Sequence, residues 1–554
     1  MLGSYTRRLP RLVGSTVLLG AILVAPAVGI QAGALHQRTS SPSHGGTIEV
    51  AFSDDMVNFD PAQAYSNDWT VLNGTLFDGL YQFDGKGIPQ LDLAAQAPTV
   101  SADQKVWTFT LRKGVLFSNG MEATASDLKY SILRTLDPKL KPAVSWGQPT
   151  DEIFQGSVDF AAGKAKDVSG IQVLNRYALR FTLTQPVAIF PYILAESFNM
   201  IVPKAVVAAE GSEAFGNKPV GTGPFMLQSW QKGIQVVFVR NPHYFKAATG
   251  RPYVDKVIVD VNVTPNVIAL KVEKGELTGF GTASQLSAAD LQQARSDPKL
   301  SAYLTNGPTT QADWLNLDVH VAPLDNLKIR QAIAMAVDRK RLVRLLGGGG
   351  IAANQYYVPL DPQYDATLDA QPVYPYNPQK ARALLRAAGY HNQPISLLYY
   401  SNLQDFMAMA PGLLQEMQQV GLNVTIRGVA HNSLLTLAGK LTGHQISTAL
   451  WGIDFLDGYD VYSGALSCGS NGDGGEGAHY CDTSADALAN QAEGLPLGAD
   501  RNALLRQAQK RILQGAAMVP LVFLKTVEMV SPKVGGYYYH PVFSWQFEQY
   551  WLTS

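Results

Sequence analysis

Thr108-Phe109-Thr110-Leu111-Arg112-Lys113-Gly114-Val115-Leu116-Phe117-Ser118-Asn119-Gly120 is the stretch on which the fold reading turns. Extended back to Val106, it alternates: Trp107, Phe109 and Leu111 point one way, Thr108, Thr110 and Arg112 the other. That period of two predicts a half-buried strand over 106–112. Thr124-Ala125-Ser126-Asp127 follows with the spacing of a capping box, and Leu128, Ile132, Leu133 and Leu136 supply the apolar stripe of the helix it opens.

Outward from this stretch the pattern stays mixed α/β. Thr47–Phe52, Ile234–Arg240 and Val254–Val261 read as strands. Asn377-Pro378 reads as an N-cap with proline at the first helical position, Leu384, Leu385 and Ala388 carry the apolar face, and Gly389 closes the helix before the strand Ile395–Tyr400. The unit then repeats: Pro411 opens a helix bearing Leu413, Leu414, Met417 and Val420, Gly421 ends it, and Leu422–Arg427 is a strand. Helix–glycine–strand units in succession argue for helices packed on a sheet. Tyr537-Tyr538-Tyr539 reads as a further strand.

The chain has 554 residues, which implies several cores rather than one. It holds 44 basic and 45 acidic residues, so no basic excess is available to neutralise phosphates and a nucleic-acid binder is excluded. Mean hydropathy of −0.02 excludes a polytopic membrane protein.

Residues 1–34 read as an export signal: Arg7, Arg8 and Arg11, an apolar run Leu12–Ile30, then the small-x-small sites Ala25-Pro26-Ala27 and Ala32-Gly33-Ala34. A retained anchor is the alternative, because the run is near spanning length. Either way the bulk of the chain is expected outside the cytoplasm, in the periplasm or on the outer cell surface. No cysteine lies in this region, so a lipoprotein anchor is not expected. Removing it takes three of the 44 basic residues and none of the 45 acidic ones, giving a net charge of −4. Residues 35–44 read as a flexible leader.

Cys468 and Cys481, the only cysteines, flank the run Gly469–Gly475 and read as a disulfide of an exported protein. A metal site of Cys468, His479 and Cys481 is the sharper alternative, but no second ligand cluster accompanies it. Catalytic constellations are missing. The nine histidines include no His-Glu-x-x-His, Gly347–Gly350 is not followed by Lys-Ser or Lys-Thr, and Ser126-x-x-Lys129 has no Lys-Thr-Gly companion. No enzyme, cofactor or metal is expected, which leaves binding as the residual reading.

Further blocks occur in order: Val220-Gly221-Thr222-Gly223-Pro224-Phe225, Arg240-Asn241-Pro242-His243-Tyr244-Phe245, and Arg330-Gln331-Ala332-Ile333-Ala334-Met335-Ala336-Val337-Asp338-Arg339. With Thr108–Gly120 and the helices from Ala123 and Asn377, they resemble the extracytoplasmic solute-binding proteins of ABC importers, family 5, which includes oligopeptide-, dipeptide- and nickel-binding members. Read locally, the Gly221 and Gly223 positions permit a tight turn, and Arg112 and Arg330 are either partners of acidic residues or solvated charges.

The resemblance implies an α/β, two-lobe periplasmic-binding-protein clamshell of type II. Lobe I would span 45–311 with a subdomain inserted at about 80–200, lobe II 312–520, and 521–554 would return to lobe I. Hinge crossings are expected near Ala312–Leu317 and Val519–Phe523. It implies a monomeric receptor that captures di- or oligopeptides and delivers them to permease subunits driven by their ATPase. The same role for a nickel complex or a sugar is the alternative, and a secreted hydrolase a more distant one.

The resemblance also implies ligand residues. Trp451-Gly452-Ile453-Asp454 matches the family's Trp-x-x-Asp, whose carboxylate meets a peptide α-ammonium. The segment departs from the family at Phe455, where tyrosine is common, and at Asp457-Gly458, where Asp-Pro is frequent; Asp457 is the next carboxylate to consider. A structural salt bridge or strand-end turn is the bland alternative for Asp454. Tyr65, Asn67 and Trp69, then Ser145 and Trp146, lie in loops that face ligand in the family, and Tyr356 and Tyr357 follow the glycine run.

Overall fold

The long strands Leu304–Leu317 and Met518–Val530 run antiparallel through the middle of an 11-stranded sheet. To one side lie Ile446–Gly452, Pro394–Tyr400 and Asn423–Val429; to the other lie Phe280–Thr282, Thr47–Ala51, Lys256–Asp260, Gln235–Arg240 and Phe225–Gln231. Gly350–Ala352 pairs with Met518–Val530 off this path. Register between the two long strands shifts between Asn306 and Gln311, opposite Leu524–Val527. A separate antiparallel sheet of four strands is built from Thr99–Val100, Val106–Thr110, Ala178–Thr182 and Ile171–Asn175. This computed structural model describes residues 41–52, 55–56, 58–64, 74–140, 153–282, 286–430, 433–434, 437, 444–470 and 477–553, all within one compact unit, Gln37–Ser554.

Local chemistry explains most elements. Val106–Thr110 buries Phe109 and exposes Thr110, as the alternation requires. The helix Ala125–Thr135 starts where the Thr124 N–H and hydroxyl donate to Asp127 Oδ2 at 3.0 and 2.5 Å, and Leu128 and Ile132 are fully buried beneath it. Asn377 Oδ1 accepts from the Lys380 N–H at 2.9 Å to open Pro378–Ala387, and Gly389 leaves it at φ 67°.

Pro411 does not open its helix. The helix runs Gln404–Gln419 with Pro411 inside. Phe406 and Met409, both fully buried, anchor the turn before the proline, so burial outweighs the hydrogen bond its missing N–H forfeits. Tyr537–Tyr539 is not a strand either: its rings pack on the first core, and Tyr537 sits 5.4 Å from Tyr550.

The glycines before Pro224 serve close approach rather than a tight turn. A Cβ on Gly221 would stand 1.9 Å from the Leu76 carbonyl oxygen, and one on Gly223 2.7 Å from it. Arg112 is exposed, as the solvated-charge reading has it, and also bonds backbone; Arg330 is buried and takes neither role expected of it. Arg112 Nε donates to the Asp92 carbonyl at 2.6 Å, and Arg330 Nη1 to the Leu324 carbonyl at 2.7 Å.

One core joins residues 48–261 to the C-terminal Val542, Phe543, Trp545, Phe547 and Tyr550. Two others lie on opposite faces of the strands around Leu304–Leu317: Leu315, Leu317 and Ile446 face one, Trp314, Ala449 and Trp451 the other. Trp451 therefore enters the loop that follows its strand as a core residue, which fixes where that loop begins.

Candidate functional site

The strand Ile446–Gly452 pairs antiparallel with Gln311–Leu317, and the Ile453 N–H still donates to the Thr310 carbonyl at 2.9 Å. The chain then leaves the sheet and turns through 454–460. Trp451 is 9% exposed, and its ring lies so close to Gly464 that a Cβ there would sit 2.0 Å away. Its indole N–H donates to Asp460 Oδ2 at 3.1 Å, and the Asp454 N–H donates to the same oxygen at 2.8 Å. Asp460 thus ties the tryptophan and the backbone of Asp454 to one point. Asp454 itself is half-buried, whereas Asp457 and Asp460 are buried.

Asp457 is committed to structure and is no substitute anchor. Arg501, fully buried, donates to both of its oxygens at 2.6 and 3.0 Å, and Gln363 Nε2 donates at 2.9 Å. The Nη2 that donates to Asp457 Oδ1 also donates to Glu493 Oε1, at 2.8 Å. Burial raises the Glu493 carboxyl to about 7 despite that contact. Gly458 N–H donates to Gln363 Oε1 at 2.8 Å, so the same triad holds the loop from below.

Across the loop lies the segment 190–199. The Tyr192 ring is 5.9 Å from Phe455, and Glu196 beside it is buried. Burial first, then the charges of Asp454 and Asp460, hold the Glu196 carboxyl well above the ordinary range. Burial and the Asp454 charge do the same to Asp460. The arrangement is an acidic corner in a low-dielectric setting. On the opposite face of the sheet, burial also raises the Asp405 carboxyl, which is hydrogen-bonded to Asp313.

Of the residues expected at the ligand, Trp451, Gly452 and Asp454 stand together here. Tyr356 and Tyr357 are enclosed core residues, their hydroxyls donating to the carbonyls of Met518 at 2.8 Å and Leu505 at 3.0 Å. Tyr357 packs under Gly458, where an added Cβ would be 2.7 Å from its ring, so it supports the loop from within. Tyr65, Asn67, Trp69, Ser145 and Trp146 lie outside the described residues. Glu196 and Asp460 were not foreseen. The spacing Asp454, Asp457, Asp460 was visible in the sequence, but Glu196 carried no local signal. Cys468 and Cys481 form a disulfide, so neither sulfur is a metal ligand, and His479 Nδ1 faces Asp318 at 3.1 Å.

Comparison with known proteins gives the context. The family described as "Bacterial extracellular solute-binding proteins, family 5 Middle" matches residues 89–473. The probable D,D-dipeptide-binding periplasmic protein of Escherichia coli is 29% identical over 512 residues, covering 89% of this chain and 92% of that one. Among solved structures, the periplasmic binding protein DppA from Helicobacter pylori, in complex with the peptide STSA, aligns with a TM-score of 0.78 at 25% identity over 92% of this chain and 98% of that one. The clavulanic acid biosynthesis oligopeptide binding protein 2 aligns with a TM-score of 0.83 at 22% identity, over 93% and 96% of the two chains. The fold is that of the type II periplasmic binding proteins. No helix among the described residues is long and apolar enough to cross a membrane.

Proposed function

Because the chain belongs to the bacterial extracellular solute-binding proteins of family 5, we propose that it is the substrate receptor of an ABC importer, binding di- or oligopeptides through their free amino terminus. The observation that carries this reading is the state of the three loop carboxylates. Asp457 is neutralised by Arg501 and Asp460 is buried under two N–H donors, while Asp454 is the one that reaches a half-buried position. A carboxylate on a backbone fixed by its N–H bond to Asp460 is placed to meet an ammonium, and peptide side chains beyond it stay unconstrained. The peptide-bound relative supports the ligand class.

In this reading lobe I is 45–311 with 521–554, and lobe II is 312–520. The hinge crossings are near Ala312–Leu317 and Val519–Phe523, a placement supported by the register shift between Asp313 and Trp314, opposite Val522 and Pro520. The loaded, monomeric receptor then docks on permease subunits driven by their ATPase. Residues 1–34 direct export and are cleaved after Ala27 or Ala34, leaving a protein without a lipid anchor, and the receptor catalyses no reaction on its ligand.

The test is titration calorimetry with matched free and N-acetylated peptides on wild type and Asp454→Asn. Removing one member of a buried charge pair costs about 3–5 kcal/mol, so affinity falls at least about a hundredfold. Equal affinity for the variant, or harmless acetylation, refutes the amine anchor.

A further inference from the structure

Three helices lie side by side on one face of the large sheet, over a shared core: Arg339–Leu345, Gln404–Gln419 and Pro378–Ala387. Arginines from the outer two reach the middle one. Arg341 Nη1 donates to Glu416 Oε1 at 3.1 Å, and Arg382 Nη2 donates to the Gln419 carbonyl at 3.1 Å. Every exposed charged side chain on these helices is basic: Lys340, Arg344, Lys380, Arg382 and Arg386. Their acids, Asp405 and Glu416, are half-buried and buried. Asp338, which caps the first helix by accepting the Arg341 N–H, is half-buried 3.7 Å from Arg344.

Composition does not account for a face of one sign, since the chain holds 44 basic against 45 acidic residues. Helix stability accounts for only part of it. Arg344 and Arg386 sit in last turns, where the helix dipole favours a cation, but Lys340 and Lys380 sit in first turns, where it disfavours one. Lys340 and Arg344 are four residues apart, as are Arg382 and Arg386, a spacing at which like charges repel across one turn. A merely solvated helix face gains from mixed signs at that spacing. Between the two basic helices the middle one exposes neutral side chains, Met407, Pro411 and Gln415 among them, and none of the three exposes an aromatic ring.

We propose that this three-helix face docks the protein on the anionic phospholipid headgroups of a bilayer. Cations on long flexible stems attract such a surface once they come within a Debye length, about 10 Å at 0.1 M salt. They do so without the aromatic anchors that a protein partner packs at the centre of an interface. The benefit, a receptor held beside its permease, rests on the reading above; the attraction itself does not.

The experiment is co-flotation of the exported protein with vesicles of phosphatidylcholine alone, or with about 30% phosphatidylglycerol, in about 0.05 M and about 0.5 M salt. Wild type is expected to favour the anionic vesicles at least about tenfold at low salt and to lose the preference at high salt. Each cation near such a surface is worth about fivefold in partitioning, so the triple variant Lys340→Gln, Lys380→Gln, Arg386→Gln should lose at least about tenfold. A control triple, Lys139→Gln, Lys164→Gln, Lys166→Gln, removes the same charge from exposed positions outside the three helices and should stay within about twofold of wild type. Both variants keep the amino terminus of wild type, so residues 1–34 contribute equally to all three proteins. Equal binding to neutral and anionic vesicles, a preference that survives high salt, a face variant that binds as wild type does, or a control that loses as much overturns the proposal. Attachment to native membranes that protease treatment of those membranes abolishes places the partner in a protein and overturns it too. No arm contains peptide, so each outcome is separate from that of the amine-anchor test.

Discussion

His540 offers the sharpest test of how the C-terminal segment is held. It is completely buried, and its Nδ1 accepts two backbone N–H groups, from Val542 at 3.1 Å and Phe543 at 2.9 Å. That nitrogen carries no proton, so Nε2, 2.8 Å from the Asp84 carbonyl oxygen, is the N–H that donates. A second proton would have to enter on Nδ1, against two donors in a dry site. Burial accordingly pushes the pKa from 6.5 down to about 4. Between those values the unfolded chain binds more protons than the folded one, so stability rises with pH across this window. The contribution is complete above the unfolded value and is lost as pH falls toward and through the folded value. Between about pH 7.5 and about pH 4.5 the loss is about 2.5 kcal/mol, a large part of a typical domain's stability. Urea unfolding followed by tryptophan fluorescence at the two pH values measures it. His540→Asn keeps an acceptor near the Nδ1 position but does not titrate. It should be less stable throughout, since it loses the Asp84 contact and the stack on Phe543. Its loss between the two pH values should be smaller than that of wild type by about 2.5 kcal/mol. Equal losses, within about 0.5 kcal/mol, would show that the folded state does not hold this ring neutral.

Arg501→Met should destabilise by about 3–5 kcal/mol, because Asp457 and Glu493 remain buried without their cation. Ligand affinity should fall with it as the 454–460 loop loses its support; chemical denaturation alongside calorimetry checks both, and an unchanged midpoint refutes the role given to the triad. Opening the Cys468–Cys481 bridge by the double serine substitution should cost about 3 kcal/mol in the chain-entropy account of a loop this short. A midpoint unmoved by substitution or reductant would show that the bridge does not constrain the unfolded chain.

The elements legible in the sequence were those specified by their own residues. Val106–Thr110 declares itself by alternation, Thr124-x-x-Asp127 by its cap, and Asn377-Pro378 by a cap and a fixed φ. Where distant contacts decide, local rules misled. Pro411 reads as a helix start, yet Phe406 and Met409 are drawn into a core shared with the strands Pro394–Tyr400 and Ile446–Gly452, and they carry the helix through the proline. Gly221 and Gly223 read as turn residues, but the backbone at Leu76 requires them. Tyr356 and Tyr357 follow a glycine run, as residues lining a cleft could, but the strand Met518–Val530 and the helix Ala499–Gly515 enclose them.

The candidate site shows the same division within ten residues. Asp454, Asp457 and Asp460 recur at a spacing of three after Trp451; the resemblance ranks Asp454 first and Asp457 next, and the local residues by themselves do not. What separates them is the partner that the fold delivers to each. Arg501, on the helix Ala499–Gly515, takes Asp457 with a bidentate fork and turns it into loop support. Trp451 and the Asp454 backbone take Asp460 with neutral donors, which fix its place without cancelling its charge. Glu196 comes from the far side of the sequence and adds charge of the same sign. A stability argument alone disfavours bringing such like charges together under burial, since each raises the energy of the other's ionised form. Substituting Asp457 therefore reads loop support before it reads ligand contact, and the two effects are separated by measuring stability alongside affinity.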